Sequence, residues 1–351
     1  MEEQRPGAGM AADIAEQPEV YARVLDEAAG PIAAVAAEIA RRRPRHVVFT
    51  ARGTSDHAAL YAAYLCEIRL GLPAALASPS AITVYGARPD LRDTLVVGVS
   101  QSGGSADLCE VVRVAREQGA LTLAVTNAPD SPLAAEAERT IDIVAGHERA
   151  VAATKTYTAE LLTLLLLVEG VRAGDGHVTP DVRSALDALP DLAREALAGD
   201  GPGDLAGRYR FAGRMLTTGR GYAYPTAREA ALKLMETSYL PALAFSGADL
   251  LHGPLAMADP DVPVLAVVGG GPAGETMREV LARLADRRAD VVTIGPRPAG
   301  AGHYLATPDV DERYAPLLDI LPLQRLALSL ALGRGENPDS PRGLKKVTTT
   351  R

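Results

Sequence analysis

The chain has no tryptophan, only two cysteines and few aromatic residues, which make up 4% of its 351 residues. Hydrophobic residues make up 47% of the chain, so its cores must be built mainly from alanine, valine and leucine. Cys66 and Cys109 fall in predicted helices and lack the clustered spacing of a metal site or a disulfide framework. We therefore expect free thiols in a reducing compartment, and we assign the protein neither a metal nor a cofactor.

Excess positive charge and long apolar runs are also missing. The formal net charge of −8 and the pI near 5.4 argue against nucleic acid as the main partner. The apolar run 161–168 is too short to cross a bilayer, and the polar, acidic start MEEQRPGAGM does not resemble a secretory signal. We expect a cytoplasmic protein that binds neither nucleic acid nor a membrane.

Short apolar segments alternate with amphipathic or alanine-rich segments, a pattern typical of βαβ units around a parallel sheet. In the first half we predict strands at 46–50, 74–77, 94–99, 121–126 and 140–144. In the second half we predict strands at 214–218, 242–245, 262–268 and 290–294, preceded by a Gly/Pro/Asp connector at 199–207. The length suits two ordinary cores.

The two halves share a pattern. The pair Arg52-Gly53 recurs as Arg220-Gly221, and Glu148-Arg149 recurs as Glu312-Arg313 at a similar offset. We therefore predict an α/β protein made of two tandem, doubly wound parallel sheets flanked by helices, as in flavodoxin-like folds.

The segment 94–106, TLVVGVSQSGGSA, carries the strongest chemical signal. An apolar strand ends there in a loop with Ser100, Ser102 and Ser105 before a helix, an arrangement typical of a phosphate cradle. The alternative is that these serines merely cap the helix. A second loop, ARGTS at 51–55, also follows a strand, and two such loops can converge on one ligand. The corresponding loop of the second half, GGGPAG at 269–274, has no hydroxyl, so we expect only the first half to bind phosphate.

The second half contains ionisable residues instead. Glu229, Lys233 and Glu236 share one helical face, either as a catalytic group or as a solvated Glu–Lys pair. His252 lies in an otherwise apolar segment, where it is either functional or a core residue. The tail 337–351 is either part of a site or a frayed basic terminus.

Together these motifs resemble the sugar isomerase (SIS) family, in particular its members that form the isomerase half of glutamine–fructose-6-phosphate amidotransferases. The matching motifs are Glu16-Gln17-Pro18, Gly53-Thr54-Ser55, Ser100-Gln101-Ser102-Gly103, Val151 with Thr154-Lys155, Glu229 through Glu236, His252-Gly253-Pro254-Leu255, and Pro341-Arg342 with Leu344 and Lys346. The resemblance implies a helical arm (1–43), a first SIS domain (44–178), a helical linker (179–207), a second SIS domain (208–336) and a tail closing over the site (337–351).

The resemblance also implies roles for individual residues. The sugar phosphate would be bound by Thr54, Ser55, Ser100, Gln101, Ser102 and Ser105, with Val151, Glu229 and Lys345 as further substrate contacts. Glu236 would move a proton between C1 and C2, and Lys233 would assist at the developing enediol. His252 would handle ring opening, and Lys346 would form an imine with the open-chain ketose. In the family the histidine comes from the other subunit of a homodimer, so the active site would be shared.

The sequence begins MEEQ, without the glutaminase domain of the amidotransferases, so we do not expect it to draw ammonia from glutamine. We expect an isomerase/deaminase that interconverts glucosamine-6-phosphate with fructose-6-phosphate and ammonia. Two alternatives remain open: a fructosamine-6-phosphate deglycase that uses the same loops and carboxylate, and a noncatalytic sugar-phosphate sensor.

Overall fold

The computed structural model describes residues 5–299, 302–344 and 346. These residues form two compact units. The first unit contains residues 19–147, 155–190 and 346, and the second contains 5–18, 148–154 and the described part of 191–344. The predicted N-terminal arm is thus divided between the two units.

The order of helices and strands along the chain follows the predicted alternation. Three helices come before the first strand: α1 (Ala8–Ala15), α2 (Gln17–Arg23) and α3 (Ala29–Arg42), with a π-helical turn at Val24–Ala28. Next come β1 (His46–Thr50), α4 (Gly53–Leu65), a π-helical turn (Cys66–Leu70), β2 (Ala74–Leu76), α5 (Pro79–Thr83), β3 (Thr94–Ser100), α6 (Ala106–Glu117), β4 (Leu121–Thr126), α7 (Pro132–Glu136), β5 (Arg139–Asp142), α8 (Lys155–Ala173) and α9 (Pro180–Asp187).

The remaining elements are α10 (Leu189–Ala198), α11 (Pro202–Tyr209), β6 (Met215–Gly219), α12 (Ala223–Ser238), β7 (Ala242–Ser246), α13 (Gly247–Leu251), a 3₁₀ turn (Pro254–Met257), β8 (Pro263–Val267), α14 (Pro272–Asp286), β9 (Asp290–Gly295), β10 (His303–Ala306) and α15 (Pro316–Gly333).

Both sheets have the same topology. The first has the order β2-β1-β3-β4-β5 and the second the order β7-β6-β8-β9-β10, and every described strand pair is parallel. Numbered within its own half, each sheet reads 2-1-3-4-5, the flavodoxin-like order. The predicted fold class, two tandem doubly wound sheets, is confirmed.

The central strands are buried on both faces, as helices on both sides of a parallel sheet require. All residues of β3, β4, β6 and β8 are buried, and their sequences are near-continuous runs of Val, Leu, Ala and Thr. The apolar run 161–168 is the middle of α8, which is buried along most of its length. These cores contain few aromatic side chains, as the composition predicts.

Two details of the sequence prediction are wrong. The connector predicted at 199–207 is largely the helix α11, which begins at Pro202, packs against α15 and buries Leu205, Ala206 and Tyr209. Proline at the first helical position is favourable, and this packing outweighs the poor helix propensity of Gly and Asp. The fifth strand of the second sheet, β10, was not among the predicted strands, because it is short and only partly buried.

Helix α15 is long and apolar enough to cross a membrane, with a mean hydropathy of 1.3 over 18 residues. However, 72% of that stretch is buried inside the fold, which is typical of a core helix. Both cysteines are free thiols, and burial raises the pKa of Cys66 to about 12.

One carboxyl group in the second core is buried with a single described partner. Asp319 of α15 is 1% exposed, and its Oδ1 accepts a hydrogen bond from Thr307 Oγ1 at 2.6 Å. Its Oδ2 has no hydrogen-bond partner among the described residues. Burial raises the pKa of Asp319 to about 7, although the Thr307 bond opposes this effect.

The raised pKa predicts a pH-dependent stability. The folded protein keeps the Asp319 proton up to about pH 7, whereas an unfolded aspartate loses it near pH 3.9. This group therefore makes the free energy of unfolding fall as the pH rises from about 4 to about 7, by at most about 1.4 kcal/mol per pH unit. In urea unfolding, the free energy of unfolding of Asp319→Asn minus that of the native chain should rise steadily across this range.

Asp261→Asn, at an exposed position of the same unit, is the matched control for the removal of one carboxyl group. A constant difference between Asp319→Asn and the native chain would contradict the prediction.

Candidate active site

The two hydroxyl-bearing loops lie side by side in the first unit. Strands β1 and β3 are neighbours, with Thr50 paired to Gly98, so the loops that follow them leave the sheet at the same edge. The first loop leads into α4, whose first turn contains Thr54 and Ser55, and the second leads into α6. The carboxyl edge of a parallel sheet at this position is the usual ligand site of the fold.

An ion pair that the sequence analysis missed joins these loops. Arg52, immediately before α4, places its Nη2 atom 2.7 Å from Oδ2 of Asp107 in the first turn of α6. The Asp107 side chain is 2% exposed and that of Arg52 is 49% exposed, so a buried carboxylate holds a half-exposed guanidinium. In the sequence, Arg52 could have been noticed for two reasons. It directly precedes Gly53, and the serine loop at 100–105 has no lysine that could supply a positive charge.

The helix N-termini beside these loops are not capped by their own side chains. Within the described chain, Arg52 at the start of α4 and Ser105 at the start of α6 make no side-chain capping bond. By contrast, Ser131 and Ser246 do cap α7 and α13. The capping alternative for Ser105 is therefore wrong, and its hydroxyl lies next to backbone N–H groups that favour an anion.

The other two serines of the second loop accept hydrogen bonds from backbone amides. Ser100 Oγ accepts a hydrogen bond from the Gly103 amide at 3.2 Å, and Ser102 Oγ accepts one from Gly104 at 3.3 Å. Because these bonds use lone pairs of the hydroxyl oxygens, each O–H hydrogen can be donated to a ligand. The carbonyl of Gln101 is held by Asn127 N at 3.2 Å, which fixes the turn.

In the second unit, the three residues of the shared face on α12 form one charged cluster. Lys233 Nζ lies 3.3 Å from Glu229 Oε1 and 2.5 Å from Glu236 Oε2. The side chains of Glu229 and Lys233 are at most 1% exposed, while that of Glu236 is 23% exposed. The alternative of a solvated Glu–Lys pair is wrong for this helix, because the lysine and one glutamate are inside the core.

The cluster keeps its lysine charged. Burial lowers the pKa of Lys233, but the attraction of Glu229 and Glu236 outweighs burial and raises the pKa above its ordinary value. Lys233 can therefore act as a fixed cation but not as a proton acceptor near neutral pH. Glu229 is fully buried beside Lys233, whereas Glu236 is partly open to solvent.

The remaining predicted residues lie in several places. His252 follows α13 and is exposed, so it is not a core histidine. Val151 is half-buried, and its amide donates to the carbonyl of Asp339 at 3.3 Å. Lys346 is half-buried, and Lys345 lies outside the described residues.

The start of the tail is attached to the end of α12. The amide of Arg342 donates to the Tyr239 hydroxyl at 2.6 Å, and the guanidinium lies 4.0 Å from the centre of the Tyr239 ring. Tyr239 itself ends α12 in the left-handed conformation, with φ of 51°. The tail is therefore fixed at Arg342, and the alternative of a frayed terminus is wrong for this part of it.

The glycine-rich loop of the second unit binds a carboxylate of its own chain. Glu312 Oε2 accepts from the Ala273 amide at 3.4 Å at the start of α14, and a Cβ on Gly271 would lie 2.3 Å from the same carboxylate. Partial burial raises the pKa of Glu312. A cavity of about 620 Å³ beside this loop, between α14 and residues 296–299, contains none of the predicted site residues. Among the described residues, no three His, Cys, Asp or Glu side chains form a metal-binding group.

Comparison with known proteins identifies a family. The model of the SIS domain matches residues 41–170 and 209–330. Over 314 residues the chain is 36% identical to a glutamine–fructose-6-phosphate aminotransferase (isomerizing) of Pyrobaculum aerophilum, covering 87% of this chain and 51% of that protein. It is 35% identical to the enzyme of the same name from Pseudomonas syringae pv. tomato, covering 97% of this chain and 58% of that protein. The chain thus spans about half the length of these curated relatives.

Solved structures give the same result. A candidate phosphosugar isomerase of Silicibacter pomeroyi DSS-3 has 35% identity and a TM-score of 0.87, covering 94% of this chain and 99% of that one. The C-terminal domain of glucosamine-fructose-6-phosphate aminotransferase from Francisella tularensis has 26% identity and a TM-score of 0.86, covering 97% of this chain and all of that one.

The second loop depends on a glycine that no other residue can replace without strain. Gly103 has φ of +59°, and a Cβ there would lie 2.0 Å from Ser131 Oγ. We expect Gly103→Ala to lower the free energy of unfolding by about 2–4 kcal/mol, combining the left-handed backbone cost with the steric clash. Chemical denaturation measures this change.

Gly71→Ala is the matched control, because Gly71 also has a positive φ, of 64°, but its Cβ would face open space among the described residues. Gly71→Ala should lower the free energy of unfolding by the cost of the left-handed backbone alone, about 1–2 kcal/mol. Equal losses in the two variants would show that the contact with Ser131 does not constrain the loop.

Proposed function

This chain belongs to the SIS domain family, and from that premise we propose that it isomerises a phosphorylated amino sugar. The reaction converts glucosamine-6-phosphate and water to fructose-6-phosphate and ammonia, and it can run in either direction. The relatives reported above are named glutamine–fructose-6-phosphate aminotransferases (isomerizing), and this supports the substrate class.

The observation that carries the proposal is the Lys233–Glu236 pair. Binding a sugar phosphate needs hydrogen-bond donors, but it does not need a buried ammonium group 2.5 Å from a partly exposed carboxylate. Burying an ammonium group costs several kcal/mol unless it is paired. A sensor that only binds a sugar phosphate would not need a buried, paired lysine of this kind. We therefore favour an enzyme over a noncatalytic sensor.

The proposed roles follow from the charge states. Glu236 takes a proton from one carbon of the open-chain sugar and returns it to the neighbouring carbon, so the double bond moves between C1 and C2. The negative charge that develops on the sugar oxygen faces Lys233, which stays protonated and stabilises it. Glu229, fully buried on the other side of Lys233, holds the ammonium group in place.

His252 and Lys346 complete the proposed set. The exposed imidazole of His252 would open the sugar ring. After proton transfer the sugar carries an imine at C2, and Lys346 would displace ammonia from it to form its own imine, which water then hydrolyses to the ketose. The contact between Tyr239 and Arg342 supports this role, because it fixes the tail four residues before Lys346.

Phosphate recognition is assigned to the first unit. Ser100 and Ser102 have donor hydrogens available, the hydroxyl of Ser105 lies at an uncapped helix start, and Arg52 supplies positive charge beside the loop. Thr54, Gln101 and Val151 remain proposed contacts, as does Lys345. We further propose a homodimer in which the site is shared between subunits, acting in the cytoplasm, where free thiols are usual.

The proposal predicts a specific turnover. Purified full-length protein should release ammonia and fructose-6-phosphate from glucosamine-6-phosphate in equal amounts, measured by coupled assays of both products. Its specific activity should fall on dilution if the site is shared between subunits.

The alternatives give different results in the same screen. Turnover of a fructosamine-6-phosphate but not of glucosamine-6-phosphate would identify a deglycase. Binding of both compounds without turnover of either would identify a sensor.

A second prediction concerns Glu236. Replacement by glutamine keeps the size of the side chain but removes the proton acceptor, so exchange of the C1/C2 proton with solvent should fall by about 10²- to 10⁴-fold. Binding of fructose-6-phosphate should change little. NMR in deuterated water measures the rate of C1/C2 proton exchange, and calorimetry measures the affinity for fructose-6-phosphate.

Glu275→Gln, on an exposed position of α14 in the same unit, is the control and should exchange at the native rate. Undiminished exchange in Glu236→Gln would remove this residue from its role.

A further inference from the structure

The hydroxyl of Ser55 is directed into the fold. Ser55 lies in the first turn of α4 and is 7% exposed, and its Oγ donates a hydrogen bond to Oε1 of Glu160 at 2.8 Å. Glu160 belongs to α8, which packs against α4, and is 1% exposed. A buried carboxylate therefore lies directly behind a residue that is proposed to bind phosphate.

This arrangement differs from that of the other serines. Ser100 and Ser102 accept hydrogen bonds from backbone amides, so their own hydrogens can be donated to an anion. A serine hydroxyl has only one hydrogen, and Ser55 already donates it to Glu160. In this state Ser55 presents only lone pairs to the loop, and lone pairs repel a phosphate oxygen.

We propose that Glu160 is a positioning residue that competes with the substrate phosphate for the Ser55 hydrogen and so weakens phosphate binding at the cradle. This inference rests on the proposed function, because it assumes that the loop of Ser55 binds the phosphate ester. When the ester enters, the Ser55 hydroxyl turns from Glu160 to a phosphate oxygen. Part of the binding free energy is used to break the Ser55–Glu160 bond.

The competition has a functional consequence. A phosphate cradle with two helix N-termini, three serines and an arginine would hold every sugar phosphate tightly, the product included. A carboxylate that recovers the Ser55 hydrogen when the product leaves speeds release, since most differences in affinity arise in the dissociation rate. Glu160 is thus expected to act on KM and on product release rather than on proton transfer at the sugar.

Replacing Glu160 with glutamine separates the two functions of its side chain. The amide has nearly the same shape, but its NH₂ group can donate to Ser55 Oγ, which frees the Ser55 hydrogen for phosphate. We expect Glu160→Gln to bind inorganic phosphate and fructose-6-phosphate about tenfold more tightly than the native chain, as measured by calorimetry. C1/C2 proton exchange within a single turnover should be unchanged, because it is measured before the sugar phosphate leaves.

Two further variants make the test specific. Glu169→Gln neutralises another buried carboxylate of α8, one that pairs with Arg69 and Arg172, and it should leave phosphate affinity at the native value. In a Ser55→Ala background, the additional change Glu160→Gln should give no gain, because the shared hydrogen is absent. Thermal melting of each variant checks that it is folded.

The outcomes distinguish this inference from the proposed function. Native or weaker affinity in folded Glu160→Gln, or a tenfold gain that persists without Ser55, would overturn the role of Glu160 while leaving the sugar-phosphate enzyme intact. Failure of the native chain and every variant to bind either phosphate compound would overturn the cradle and the inference together.

Discussion

A parallel sheet sends every loop that follows a strand to the same edge, and the functional features of both units depend on this constraint. In the first unit it brings two loops close enough for Arg52 and Asp107 to form an ion pair. In the second it places the glycine-rich loop where Glu312 can reach the start of α14. The two sheets have one topology, so their differences in chemistry arise from loop and helix side chains rather than from the scaffold.

Buried charge is the second organising feature. Lys233 is inside the core only because carboxylates contact it on two sides, and the same contacts determine that it is a cation rather than a base. Asp319 has no cationic partner among the described residues, and burial keeps its proton in place instead. The two groups illustrate two solutions to one problem, since a charge removed from water must be either paired or neutralised.

Most of the architecture could be predicted from the sequence, because apolar strands and alanine-rich helices have distinct periods. The failures were local: α11 looks like a loop until its packing on α15 is known, and β10 has too few buried residues to be recognised. In the site, the serines and the acid–lysine face were predicted from spacing. Arg52, Asp107 and Glu160 were not, because a partner 55 or 105 residues away leaves no local pattern.

The position of Glu312 has a consequence for the history of the chain. Under the proposed function, a phosphate-binding module was duplicated, and each copy started with its own anion site. Here the second copy accommodates a carboxylate from its own polypeptide, so the helix start keeps a negative neighbour without any small molecule. In that history, a covalently attached carboxylate takes the place of the lost ligand in one copy, and the side chains of that copy can then evolve for another task.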